Sequence, residues 1–302
     1  VEEHLEDLAK AAAEEGGKPL MDSRVEADRT KLGIKVAIEH ISKLTGTEIP
    51  MNISTSSENR MAYTYREPRG VVLAISAFNH PLNLITHQVI PAVAVGAPVI
   101  VKPASATPIS CFNLVDILHK SGLPKEWAQV CACDNKVAEQ LVTDPRTSFL
   151  SFIGSAKVGW YLRSKLPPGA SAALEHGGAA PVIVEPDVDV EDAIPLLVKG
   201  GFYHAGQVCV SVQRVFAHES ICDDFANAIA EKAKEVDRIE KWVNHAVKKG
   251  AKLLCGGERI SNTCYQPTVL LNPPEDAEVS EAEIFGPVVC VYSYKDRHEA
   301  IS

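Results

Sequence analysis

The 302-residue chain reads as an α/β protein built on parallel sheet. Two observations carry that reading. Short, wholly apolar runs recur from about residue 70 onward, and stretches with helical spacing separate them. Strands that are apolar on both faces belong in a sheet covered by helices on each side, which is the parallel arrangement joined by crossover helices.

The elements follow in order. Val71–Ile75 predicts the first buried strand, and a helical stretch runs from Pro81 to Gly96. Val99–Val101 is the next strand, and Thr107-Pro108 opens a helix that reaches Gly122. Phe149–Ile153 predicts a strand, Ala156–Leu166 a helix and Ala172–Leu174 a strand. The pair Gly177-Gly178 then reads as a hinge, giving a first domain over residues 1–176 and a second over 177–302. In the second, Pro181–Val184 resumes the pattern, Val190–His204 predicts a helix and Arg214–Ala217 a strand.

From Cys222 to Lys249 the helical phase continues without Gly, Pro or a clear cap, through Phe225, Ile229, Val236 and Trp242. So long an uncapped pattern is unusual in a globular domain. It is either one helix or two helices joined where a loop is missing, near residues 236–237.

Composition excludes several classes. Hydrophobic residues make up 46% and charged residues 23%, as in soluble globular proteins. A net charge of -9 argues against nucleic acid or an anionic membrane as partner, since both need clustered Lys and Arg. No run approaches the roughly 20 apolar residues of a membrane helix. The acidic opening Val1-Glu2-Glu3-His4 is unlike a signal peptide. The 8 cysteines are scattered, and the one close pair, Cys131 and Cys133, is spaced too tightly for the usual zinc pattern. No metal site is expected, and a reducing, cytoplasmic setting is.

The residues with chemistry are individually ambiguous. No Gly-x-Gly-x-x-Gly follows the first strand, and no Walker loop is present. Gly154 to Gly159 has the glycine spacing, but Trp160 and Tyr161 stand where Lys and Ser or Thr are required. What remains is Gly154-Ser155 at a strand end opening a helix, either a phosphate-holding N-terminus or an ordinary Ser-capped turn. Cys209 follows Gly206-Gln207-Val208 and a helix containing Gly200 and Gly201. Small residues allow close approach to a ligand, so Cys209 is either a nucleophile or a buried structural thiol. Glu175 at a strand end reads as a general base or a salt-bridged surface carboxylate. Asn79, after the first strand, reads as an oxyanion donor or a turn residue.

Six segments taken together resemble the aldehyde dehydrogenase superfamily, in order along most of the chain. They are Ala77-Phe78-Asn79-His80-Pro81, Val101-Lys102-Pro103-Ala104-Ser105, Phe152-Ile153-Gly154-Ser155, Leu174-Glu175-His176-Gly177-Gly178, Gly206-Gln207-Val208-Cys209 and Glu283-Ile284-Phe285-Gly286-Pro287. The resemblance implies a Rossmann-type cofactor domain followed by an α/β catalytic domain, with the site in the cleft between them. It implies that Cys209 attacks the aldehyde, that Asn79 and the Cys209 amide hold the oxyanion, and that Glu175 activates water. Lys102, Ser105, Gly154, Ser155, Val158, Glu283 and Phe285 would bind the cofactor, NAD or NADP. A homo-oligomer is implied as well.

Two departures sharpen the expectation. Ser105 stands where strongly NAD-selective members often carry Glu, so NADP is expected to be tolerated. His80, Asn83 and His87 are polar where members acting on apolar aldehydes carry aromatic or aliphatic groups. They point to a small polar or anionic aldehyde, such as a semialdehyde or phosphonoacetaldehyde, unless the histidines merely satisfy backbone groups. A CoA-acylating dehydrogenase is the nearest rival, and Glu175 disfavours it. A cysteine hydrolase would leave Lys102, Ser155 and Glu283 without use, and a catalytically silent cofactor binder would leave Cys209, Glu175 and Asn79 so.

Overall fold

A computed structural model describes residues 1–230, 240–261 and 264–301. The chain forms two compact units, Val1–His176 and Gly177–Ser302. The run proposed to join two helices falls largely on 231–239, so its junction at 236–237 lies outside the described residues.

The first unit opens with two antiparallel-packed helices, α1 (Leu5–Gly16) and α2 (Leu20–Ile41), and a small hairpin of β1 (Glu48–Ile49) and β2 (Ala62–Tyr63). The sheet follows: β3 (Val71–Ile75), α3 (Asn83–Ala94), β4 (Val99–Lys102), α4 (Ile109–Lys120), β5 (Ala128–Val130), α5 (Asn135–Thr143), β6 (Thr147–Ile153), α6 (Ala156–Arg163) and β7 (Ser171–Glu175). The order is β5-β4-β3-β6-β7 and every pairing is parallel. The chain winds outward from β3 to β5, then crosses to β6, so the loops after β3 and β6 flank the topological switch point. Val72, Ala74, Leu82, Ile85, Val89, Val99, Val101 and Leu114 pack one face of the sheet, and Leu73, Ile75, Leu150, Phe152 and Leu162 the other.

The second unit contains β8 (Val182–Val184), α7 (Val190–Phe202), β9 (Arg214–His218), α8 (Cys222–Ala230), α9 (Glu240–Lys248) and β10 (Lys252–Cys255). It continues through the hairpin β11 (Arg259–Ser261) and β12 (Cys264–Tyr265), then β13 (Thr268–Leu271), α10 (Glu278–Glu281), β14 (Val288–Tyr294) and α11 (Arg297–Ile301). Its sheet runs β10-β13-β14-β9-β8, parallel except where β10 pairs antiparallel with β13. Among the described residues no helix is long and apolar enough to cross a membrane.

Several helices are shorter than their periodicity predicts, three of them for a clear local reason. The stretch from Pro81 becomes helical at Asn83, where the N–H groups of Leu82 and Asn83 are taken by the Glu26 carboxylate. The helix opened by Ala156 stops at Arg163, before Pro167 and Pro168. The helix from Val190 stops at Phe202 rather than His204, because His204 and Ala205 take left-handed backbone conformations. α1, α2, α5, β5 and the strands after β9 lie outside the predicted elements, although β13 and β14 carry apolar runs of their own.

Candidate active site

Asn79 lies in the loop between β3 and α3 and is buried, 5% exposed. It does not cap α3, whose N-cap position is Leu82. His80 and Asn83 are buried beside it, whereas His87, one turn on, is exposed and packs toward Gly33 of α2. The buried Oδ1 of Asn83 has no hydrogen-bond partner among the described residues.

The starts of α3 and α4 depend on two carboxylates that motif reading does not single out. Glu26 of α2, itself paired with buried Lys18, accepts the N–H groups of Leu82 and Asn83 at 2.8 and 2.9 Å. Glu15 of α1 accepts those of Ile109 and Ser110 at 2.6 and 2.9 Å. Each N-terminal helix thus lends an anion to the positive end of a sheet helix that lacks a side-chain cap of its own. No local spacing announces them, because the partners are 56 and 94 residues away.

At the carboxyl end of β4, Lys102 is 6% exposed, and the Pro103 carbonyl at 3.3 Å is its one hydrogen-bond partner among the described residues. A buried ammonium with a single carbonyl is under-satisfied and suits a ligand rich in hydroxyl groups. Beside it is a cavity of about 370 Å³ walled by Pro103, Ala104, Ser105, Pro108, Ala132, Cys133 and Asp134. At the end of β6, Ser155 occupies the N-cap position of α6, yet its side chain makes no cap hydrogen bond. The hydroxyl and the first-turn amides are therefore available to a phosphate. A Cβ on Gly154 would lie 2.8 Å from the Phe152 ring, and one on Gly159 would lie 2.2 Å from His176 Nε2. These glycines let the helix sit tightly on the strand end. Val158 is 45% exposed on the same helix.

Glu175 ends β7 in register with Ile153. It is exposed and forms no ion pair among the described residues, so the salt-bridged reading of this carboxylate fails.

In the second unit, Cys209 is exposed in the loop between α7 and β9. The approach to it is strained. His204, Ala205 and Gly206 are all left-handed, at φ of 49°, 55° and 67°, and two of them carry side chains that disfavour this region. A Cβ on Gly206 would meet the Gly286 carbonyl oxygen at 2.2 Å. A Cβ on Gly201 would lie 2.6 Å from Val289, and one on Gly200 would lie 2.9 Å from Val212. The glycines before Cys209 therefore accommodate the unit's own packing, which corrects the expectation that they make room for a ligand.

The Glu283–Pro287 segment joins this arrangement. Phe285 is also left-handed, at φ 47°. The Glu283 carboxylate lies over Gly177, where a Cβ would fall within 2.0 Å of it. A Cβ on Gly178 would stand 3.8 Å from the Cys209 carbonyl. Gln213, which the motifs do not include, ties the segments together. It is 2% exposed, donates from Nε2 to the Gly178 carbonyl at 3.1 Å and accepts the Ile284 N–H at 2.7 Å. The structure thus brings together Gly177-Gly178, the Cys209 loop and Glu283–Pro287 in one unit. It places Asn79, Lys102, Ser105, Gly154, Ser155 and Glu175 at or just beyond the carboxyl ends of strands in the other, with Val158 on α6.

Comparison with known proteins identifies the family and the fold. The chain matches the aldehyde dehydrogenase family over residues 1–237 and 232–302. It is 37% identical to 3-sulfolactaldehyde dehydrogenase of Priestia aryabhattai, over 98% of this chain and 66% of that protein. It superposes on aldehyde dehydrogenase 21 of Physcomitrella patens, solved with the reaction product succinate, with a TM-score of 0.93 at 35% identity over 99% of this chain and 67% of that one. It also superposes on the NADP-dependent glyceraldehyde-3-phosphate dehydrogenase of Bacillus halodurans, solved with NADP, with a TM-score of 0.94 at 30% identity over 99% and 67%. The chain therefore spans about two thirds of the length of the proteins it resembles.

Proposed function

Because the chain belongs to the aldehyde dehydrogenase family, we propose that it oxidises a small polar or anionic aldehyde to its carboxylic acid, with NAD or NADP as cofactor and Cys209 as nucleophile. The observation that carries this is the setting of Cys209. The thiol is exposed on a loop whose strained backbone is pinned against the Glu283–Pro287 segment. Strain of this kind persists only where the surroundings over-determine it, and it concentrates at functional sites.

The first unit is read as the cofactor domain and the second as the catalytic one. Lys102 and Glu283 suit ribose hydroxyls, Ser155 and the first turn of α6 suit the pyrophosphate, and Val158 offers an apolar contact. Under-satisfied Lys102 and the adjoining cavity support this fit. The bound dinucleotide supplies the hydride acceptor. The thiolate of Cys209 forms a C–S bond to the carbonyl carbon as the C=O π pair moves to oxygen. The side-chain amide of Asn79 and the backbone N–H of Cys209 donate to that oxygen. After oxidation to the thioester, Glu175 takes a proton from water, whose oxygen attacks the carbonyl carbon and expels the thiolate. A CoA-acylating enzyme would have no need of this base, so Glu175 supports hydrolysis.

The substrate class rests on the helix after Asn79. The Leu82 and Asn83 N–H groups already hold Glu26, so an anionic substrate would need side chains, and His80 and His87 supply them. Sulfolactaldehyde, glyceraldehyde 3-phosphate and succinate, which give the similar proteins their names or bound product, each carry an anionic group remote from the reacting carbon.

The test is nicotinamide reduction with NAD and NADP across sulfolactaldehyde, succinic semialdehyde, phosphonoacetaldehyde, lactaldehyde and apolar aldehydes of matched length. Reduction abolished by Cys209→Ser and fastest with an anionic aldehyde is expected. Equal rates with Cys209→Ser would exclude the thiol mechanism, and a preference for apolar aldehydes would exclude the substrate class.

A further inference from the structure

Gln88 of α3 is 4% exposed, and its side-chain amide bonds the backbone of two neighbouring strands. Nε2 donates to the Ile75 carbonyl at the end of β3 at 3.2 Å and to the Ser151 carbonyl of β6 at 2.8 Å, with the Ser151 hydroxyl also at 3.2 Å. Only the NH2 end of the amide can face two carbonyls, which fixes its orientation. The two strands part here. Leu82, Ile85 and Val89, in the segment that follows β3, pack on one face of the sheet, and Leu162 of α6, which follows β6, packs on the other. The chain therefore leaves neighbouring strand ends toward opposite faces, which opens the crevice of a topological switch point. Asn79 is the fourth residue after Ile75, and Ser155 is the fourth after Ser151. Both loops thus depart from carbonyls that one buried amide holds. The Asn79 loop is fastened further along as well, where Thr107 donates to the Phe78 carbonyl at 3.3 Å and Glu26 takes the Leu82 and Asn83 N–H groups.

We propose that Gln88 is a positioning residue that fixes the spacing of the two loops at the switch point, and so sets Asn79, the oxyanion donor, against the pyrophosphate-holding turn at Ser155. The inference rests on the roles that the proposed dehydrogenase gives to Asn79 and Ser155. Gln88 acts through the backbone of β3 and β6 rather than on the reacting atoms. Leucine would fill nearly the same space and leave both carbonyls without this donor. A displacement of about 1 Å at a reacting centre can cost a hundredfold in rate, so a clamp at the root of both loops bears on rate and on cofactor binding together.

The test is steady-state kinetics, with NADPH binding followed by fluorescence, for Gln88→Leu, Gln88→Glu, Asn79→Ala and Gln88→Leu combined with Asn79→Ala. Gln88→Leu should lower kcat about a hundredfold and weaken NADPH binding about tenfold, the worth of one hydrogen bond. In the Asn79→Ala background it should lower kcat by no more than about twofold further, because the donor it places is already gone. Losses that multiply in the double variant would show a general structural role and overturn the proposal. Parental kcat and NADPH affinity in Gln88→Leu would overturn it too. Gln88→Glu serves where the leucine variant does not fold. A buried carboxyl stays protonated at acid pH and can still donate to the Ser151 carbonyl, so its kcat there should stay within about tenfold of the parent. A larger loss at acid pH, in a variant shown to be folded by its thermal melt, overturns the proposal. A parent that binds NADPH but oxidises no aldehyde overturns the dehydrogenase reading, and the binding measurements then decide Gln88. A parent that binds no NADPH overturns both.

Discussion

The side-chain oxygen of Gln213 accepts the backbone N–H of Ile284 at 2.7 Å, while its amide donates to Gly178 at 3.1 Å. Its backbone is tied as well, donating to the Ala179 carbonyl and accepting from the Cys290 N–H. Gln213→Leu keeps the volume but strands a buried N–H and a buried C=O. Each costs about 1–3 kcal/mol, so urea unfolding should show a loss of about 2–6 kcal/mol. Because Glu283 and Phe285 flank Ile284, the cofactor KM should rise more than kcat falls. A stability within about 0.5 kcal/mol of the parent would show that this tether holds nothing.

Glu26 and Lys18 form a buried pair whose carboxylate also receives the first amides of α3. Glu26→Ala leaves the Lys18 ammonium buried with no counter-charge and two N–H groups without an acceptor. Breaking such a pair from one side costs about 3–5 kcal/mol. Replacing both partners with neutral groups, Lys18→Met with Glu26→Gln, should cost less than Glu26→Ala alone, since no charge is stranded. A double variant less stable than Glu26→Ala would refute this account of the pair.

These two tethers mark the limit of what the sequence makes legible. Val71–Ile75, Val99–Val101 and Phe149–Ile153 stand out because parallel strands buried on both faces must be apolar throughout. β5, with Gln129 exposed beside buried Ala128, has no such run and escapes notice. The candidate site residues at strand ends are legible through their motifs, and Gly206 is legible as a glycine. What Gly206 touches is not, because the Gly286 carbonyl it accommodates is 80 residues distant. Gln213, Glu15 and Glu26 likewise act through partners that only the fold brings near. The break of α7 at Phe202 is hidden for the same reason, since His204 and Ala205 adopt left-handed backbone against their own preference.

Gly177 and Gly206 should respond oppositely to alanine. At Gly177 the three atoms nearest a methyl all belong to the end of the Glu283 side chain, a flexible group that can swing aside. Stability should change by less than about 1 kcal/mol, while the displaced carboxylate raises the cofactor KM about tenfold. At Gly206 the obstacle is backbone and φ is 67°. Strain there should destabilise the second unit by about 2 kcal/mol or more. Thermal melts and cofactor titrations on both variants distinguish the cases, and an unchanged KM in Gly177→Ala would remove Glu283 from the cofactor site.

Alkaline pH should unfold this protein through its buried thiols. Burial pushes Cys290 up to about 12 from 9.0, and burial with the nearby Glu15 charge does the same for Cys111. Above pH 9.0 the unfolded chain releases these protons while the folded chain retains them. Stability from this source is complete below that pH and is lost as pH rises toward about 12. The slope is at most about 1.4 kcal/mol per pH unit per thiol. Urea midpoints measured through this window should fall steadily, and Cys290→Ala should flatten the decline. A midpoint that does not move would mean that these thiols ionise without unfolding.

Ser105 gives the last prediction. Its hydroxyl lies in the wall of the cavity beside Lys102 and is exposed to whatever ligand enters. A hydroxyl can donate to a 2′-phosphate, whereas a carboxylate in its place repels one. Two like charges a few ångströms apart near a surface interact by about 4 kcal/mol before salt screening. Solvent exposure reduces this to about 1.5–3 kcal/mol, a ten- to hundredfold effect. Ser105→Glu should therefore lower kcat/KM with NADP by that factor. The value with NAD should hold or improve, because its 2′-hydroxyl can donate to the new carboxylate. If the parent already prefers NAD a thousandfold, Ser105 does not set the choice, and selectivity must come from other groups around the cavity.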